Sequence, residues 1–128
     1  MQQPESSVVG KFHAAYLSAV LNYEIDDDGH LLNEGFTPQS FSQCTLARTY
    51  IECRDFVVAF SDYFDTFEDE VVDMAGSLFW LTRTPGRQPT FMMARSVFGS
   101  DLAETLARAA RSCGSRTVSV EGGELLIQ

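Results

Sequence analysis

Apolar residues at Val9, Phe12, Tyr16, Ala19, Val20 and Tyr23 recur in steps of three and four, which predicts a helix from Val8 to about Tyr23. An acidic stretch, Asp26-Asp27-Asp28-Gly29, follows as a loop. A second helix is predicted to begin at Thr37-Pro38, because Thr is a good N-cap and Pro fits the first helical turn. It should run to about Phe64, with Leu46, Tyr50, Cys53, Val57, Phe60 and Phe64 forming its apolar stripe. Glu52, Asp55 and Asp62 then fall on the opposite, outward side. After Gly76 the pattern changes. Leu78–Arg83 and Thr90–Arg95 are rich in aromatic and β-compatible residues and read as two strands. Between them Thr84-Pro85-Gly86-Arg87-Gln88-Pro89 is turn-rich. Asp101, with Glu104 in capping-box position, opens a further helix. Leu102, Leu106, Ala109, Ala110 and Cys113 line its buried side, and Gly114 suits its C-terminal cap. Thr117–Glu121 and Glu124–Ile127 close the chain as a hairpin about Gly122-Gly123. The expected order is α-α-β-β-α-β-β, an α+β fold with helices on one face of a small, mainly antiparallel sheet. Residues 1–7 are expected to be a flexible tail, and residues 8–128 a single domain.

Composition supports folding rather than disorder: 128 residues with ten phenylalanines suffice for one core, and a second is not expected. The three cysteines, Cys44, Cys53 and Cys113, are odd in number and lack a Cys-x-x-Cys pair, which argues against a disulfide framework or thiolate metal site. Cys53, within the helical stripe, is expected to be a buried structural thiol. Met1–Glu5 lacks the basic start of a signal peptide, and no apolar run approaches the roughly 18 residues that cross a bilayer. The expectation is a soluble protein of the bacterial cytoplasm, with no membrane partner.

Charge alters the picture more than composition does. Between Glu24 and Asp73 there are thirteen acidic side chains and two basic ones, Arg48 and Arg54. From Met74 to Gln128 there are four acids and six arginines. Net charge acts through steering and partner choice rather than fold, so an anionic stretch of this size favours a basic partner. Glu52, Asp55, Asp62, Asp65, Glu68, Asp69, Glu70 and Asp73 are the candidate contacts; the plainer reading is a solvated helix face. The loop Glu24–Leu31 resembles half of an EF-hand, with Glu24, Asp26 and Asp28 at positions one, three and five, but Gly35 stands where the closing glutamate belongs. Trp80, with Phe79, Phe91, Met92 and Met93, offers either a ligand pocket or core. Arg83, Arg87 and Arg95 are expected to pair with the protein's own carboxylates. His13 and His30 stand apart from any Ser or Cys motif, and no phosphate-loop, dinucleotide or zinc-protease signature occurs, so no catalytic residue, cofactor or metal is assigned.

Across residues 12 to 127 the chain resembles a group of small, mostly uncharacterised accessory proteins of bacteriophages and mobile elements. Tyr16–Leu21, Asp26–Gly29, Pro38, Glu52-Cys53-Arg54-Asp55-Phe56, Leu106–Ala110 and Gly122-Gly123 carry the likeness, and Phe79-Trp80-Leu81-Thr82-Arg83 is its most specific piece. Those relatives continue with a Gly-His-Gly-type turn and Gly-Phe-Trp-Asp, where this chain has Thr84–Pro89 and Phe91-Met92-Met93. The resemblance implies a phage or mobile-element setting. Charge and setting together lead to the expectation of a non-enzymatic inhibitor of anti-CRISPR or anti-restriction type. It would bind a basic surface on a host protein or nucleoprotein complex, without contacting nucleic acid itself. A small ligand- or metal-binding module using the acidic loop or a Trp80 pocket is the alternative, and self-association as a homodimer a further option.

Overall fold

Helix α1, Pro4–Tyr23, crosses helix α4, Asp69–Arg83, so closely that a Cβ on Gly76 would lie 2.3 Å from the Phe12 carbonyl oxygen. The computed structural model describes residues 4–84, 86 and 90–128, and only the backbone of 4–7. Around the α1–α4 pair lie α2 (Gln43–Ala59), α3 (Ser61–Phe64), α5 (Arg95–Phe98) and α6 (Ser100–Ser112). Three short 3-10 turns, Leu32–Glu34, Pro38–Ser40 and Phe91–Ala94, link them. The chain ends in an antiparallel pair, β1 (Val118–Glu121) and β2 (Glu124–Ile127), paired from Val118 opposite Ile127 to Glu121 opposite Glu124. The fold is a single α+β domain with a small antiparallel sheet.

The principal departure from expectation is the central segment. Leu78–Arg83 is the last part of α4 rather than a strand, and Thr90–Arg95 is a capped 3-10 turn leading into α5. The physical reason is burial on every side. Leu78, Phe79, Trp80, Leu81, Thr82 and Arg83 are all buried, so this part of α4 is a core helix whose sequence has no polar face to betray its period. The Phe79 ring joins those of Phe12 (centroids 5.5 Å apart) and Phe56 (4.5 Å), and Trp80 meets Tyr16 edge-on at 5.5 Å.

Other expectations shift by a turn. Helix α1 begins at Pro4 rather than Val8, and residues 1–3 lie outside the described residues. The second helix is capped by Ser42, whose hydroxyl accepts from the Thr45 N–H, while Thr37-Pro38 starts a 3-10 turn. Phe60, at φ −119° and ψ 30°, separates α2 from α3. Helix α6 starts at Gly99-Ser100 rather than Asp101, and Glu104 pairs with Arg108 at 2.7 Å instead of closing a capping box. Gly114 does follow α6, at φ +90°, and Gly122 and Gly123 take the positive φ that a two-residue hairpin turn requires.

The hairpin is docked by its second strand. Leu125 and Ile127 are buried, the Ser42 N–H donates to the Leu125 carbonyl, and Phe41 bridges Leu125 in parallel. Alternation along β2 thus sends apolar side chains inward while the strand backbone reaches the start of α2.

Two substitutions check this packing. Gly76→Ala gains roughly 1 kcal/mol of helix propensity but forces a methyl group onto a backbone carbonyl that cannot swing away. Urea denaturation should therefore show a net loss of about 1–2 kcal/mol. Tyr16→Phe should go the other way. The Tyr16 hydroxyl is buried with no hydrogen-bond partner among the described residues, so removing it should leave stability unchanged or raise it by about 1 kcal/mol.

Candidate functional site

The eight acidic candidates do not share one fate. Asp55 on α2, Asp62 on α3, Asp65 at its end, and Glu68, Asp69, Glu70 and Asp73 at the start of α4 are all exposed. Six of them fall between Asp62 and Asp73, on the α3–α4 connection. Among the described residues the ion pairs touching the exposed set are Lys11–Asp69 at 3.6 Å and Arg54–Asp55 at 3.2 Å, both at the surface. Such exposed pairs contribute about 0–1 kcal/mol. Glu68 occupies the N-cap position of α4, and Asp69 and Glu70 lie in its first turn, where the helix dipole stabilises negative charge.

Glu52 is different. It turns away from that surface and takes both guanidinium nitrogens of Arg83, each at 3.2 Å, while Arg116 reaches its other side at 2.6 Å. The Arg83 side chain is 0% exposed and Glu52 26%. Arg83 also donates to the Gly114 carbonyl (2.9 Å) and the Cys113 carbonyl (3.2 Å), and its guanidinium stacks 4.8 Å from the Phe79 ring centre. Burial alone would push the Glu52 carboxyl up. The hydrogen bonds and charge of Arg83, then those of Arg116, outweigh it and hold the carboxyl below its ordinary value. Glu52 is thus a member of a half-buried ion-pair network, set apart from the seven exposed acids.

The remaining candidates separate clearly. Trp80 is fully buried, and its indole N–H donates to Glu24 at 2.8 Å. Phe79 and Phe91 are likewise core, whereas Met93 is exposed. Glu24, the first position of the EF-hand-like series, is therefore committed to Trp80. Asp26 Oδ1 accepts the backbone N–H groups of Asp28 and His30, at 2.9 Å each, which closes the loop on itself. Asp26, Asp28 and His30 still bring one ligand atom each within 4.8 Å of one another. Arg83 pairs with a carboxylate as expected, Arg95 is exposed, and Arg87 lies outside the described residues.

His13 Nε2 forms a hydrogen bond with the Thr49 hydroxyl at 2.8 Å, and that hydroxyl also reaches the Thr45 carbonyl at 2.8 Å. Burial lowers its pKa. Cys53 is buried, and burial raises its thiol pKa far enough to keep it protonated and unreactive at neutral pH. No helix among the described residues is long and apolar enough to cross a membrane.

The network makes a pH prediction. Because the Glu52 pKa is lowered on folding, its stabilisation is complete above the ordinary glutamate value of about 4.3 and is lost as pH falls through the lower folded value. Glu52→Gln leaves the Arg83 charge buried without its counter-charge and should cost about 3 kcal/mol at pH 7. Thermal melts from pH 7 to 2.5 should show a shallower acid loss in that variant than in the parent.

Compared with protein-family models, curated proteins and solved structures, the chain matches none.

Proposed function

We propose that this chain is a non-enzymatic accessory protein of a phage or mobile element. It binds and inhibits a host nucleic-acid-binding defence complex, of anti-CRISPR or anti-restriction type, by presenting carboxylates to a lysine- and arginine-rich groove. The observation that carries the reading is the exposed acidic run from Asp62 to Asp73, which leaves five of its six carboxylates without an ion pair among the described residues. A groove built for phosphates selects by charge and spacing, so a rigid array of carboxylates competes for it without any catalytic group.

Two further features support the reading. The acids sit on helices and on one short connection, so their spacing is fixed before binding and little ordering entropy is lost. Apolar side chains are interleaved with them: Tyr63, between Asp62 and Asp65, is 49% exposed, and Met74, beside Asp73, is 38% exposed. Charge gives rate and sign preference, whereas such anchors give residence time. The plainer alternative, a solubilising face, does not require exposed Tyr and Met among the charges.

The test is capture from a bacterial lysate at low and high salt, using the parent and the triple variant Glu68→Gln, Asp69→Asn, Glu70→Gln. Neutral isosteres avoid placing positive charge at the α4 N-terminus, so circular dichroism and melting temperature should stay near the parent's. The parent should retain one nucleic-acid-binding complex in a salt-sensitive manner, and the variant should lose most of it. Equal capture by a folded variant would remove the acidic run from the interaction.

A further inference from the structure

The outward side of the Glu52 network opens on a cleft of about 480 Å³ between α2 and β2, lined by Arg48, Ile51, Glu52, Arg116 and Ile127 among others. Its charge runs against the rest of the molecule. The protein carries twice as many acids as bases, with a net charge of −9. Here Arg48 and Arg116 line the cleft beside Glu52, whose carboxylate is already held by Arg83 and Arg116.

Arg48 is the informative member. Its spacing from Glu52 suits an i,i+4 pair on α2. That pair does not form, because Glu52 is turned inward to Arg83 and Arg116. Among the described residues Arg48 has no carboxylate partner; it donates instead to the Ile127 carbonyl at 2.6 Å. This bond fixes the guanidinium at the cleft mouth while using one of its five donors. Arg116 is fixed in the same way, by Glu52 at 2.6 Å and the Ser115 carbonyl at 3.0 Å. Two guanidinium groups are thus positioned by hydrogen bonds, keep N–H groups without an acceptor among the described residues, and share the cleft lining with Ile51 and Ile127. The Gln128 carbonyl on the same rim is occupied by the Thr117 N–H.

We propose that this cleft binds a small oxyanion, a carboxylate or phosphate group carried on an apolar body. The oxyanion takes the free donors of Arg48 and Arg116, whose planar forks match either group, and the apolar body lies on Ile51 and Ile127. This site does not rest on the acidic run, has the opposite charge, and uses different residues.

The test is nuclear magnetic resonance titration of the folded protein at constant ionic strength, following the arginine Nε–Hε signals and the Ile51 and Ile127 amides. The probes are inorganic phosphate, acetate, phenyl phosphate and benzoate. Shifts should saturate first at Arg48, Arg116, Ile51 and Ile127. Each aromatic probe should bind roughly tenfold more tightly than its simple parent, as burial of about 60 Å² of apolar surface predicts. Preference between the phosphate and carboxylate series identifies the ligand class. Arg48→Gln removes a side chain that, among the described residues, bonds to one carbonyl, so it should fold and weaken binding by roughly fivefold or more. Arg95→Gln, outside the cleft, should leave binding unchanged. Comparable shifts at Arg95, Arg108 and Arg111, or unaltered affinity in Arg48→Gln, would overturn the proposal.

Discussion

A guanidinium buried at the end of the central helix governs much of this architecture. Arg83 cannot be taken from water without a counter-charge and a full set of acceptors, since an isolated buried charge costs many kcal/mol. The chain supplies those acceptors from three places: Glu52 on α2, and the carbonyls of Cys113 and Gly114 just after α6. The requirement therefore fixes the end of α4 against the middle of α2 and against the exit from α6. Gly114 serves twice, through its left-handed backbone and through its carbonyl. Arg116, two residues on, also donates to Glu52, just before the chain enters β1. The hairpin is thus tethered at its start by charge and along β2 by apolar burial.

Much of the outline is legible in the sequence where a helix or strand has two distinct faces. Helix α1 shows its buried side in Val9, Phe12, Tyr16, Ala19 and Val20, which are all buried, whereas Tyr23 at its end is exposed. The final hairpin is legible because Gly122-Gly123 satisfies a backbone requirement few other residues meet. The end of helix α4, Leu78–Arg83, is not legible by periodicity, because a helical segment buried on every side has an apolar run indistinguishable from that of a buried strand. A weaker signal was present in its ends. Acidic Glu68-Asp69-Glu70 and basic Arg83 complement a helix dipole across the whole segment, a polarity a strand does not need. Gly76, which looks like a boundary in sequence, is instead the contact point where α1 approaches.

The inward turn of Glu52 was hidden for a different reason. Helical geometry places it beside Asp55 on the outer side of α2, and local sequence contains no sign that Arg83, 31 residues away, or Arg116, 64 residues away, will be there. Electrostatic satisfaction is a tertiary property, and a charged residue's role follows from what the fold brings to it. The same applies to Glu24, which reads as a cation ligand in its loop but accepts the Trp80 indole N–H across the core.

Glu52 thereby divides the surface. Were it to face outward with Asp55, the anionic side would extend along α2 and would neutralise Arg48. Turned inward, it leaves Arg48 held on a carbonyl, and six of the seven exposed acidic candidates fall between Asp62 and Asp73. A single carboxylate shared by two arginines thus stabilises the interior and separates an anionic face from a cationic cleft. The buried network is what allows one small acidic domain to present both.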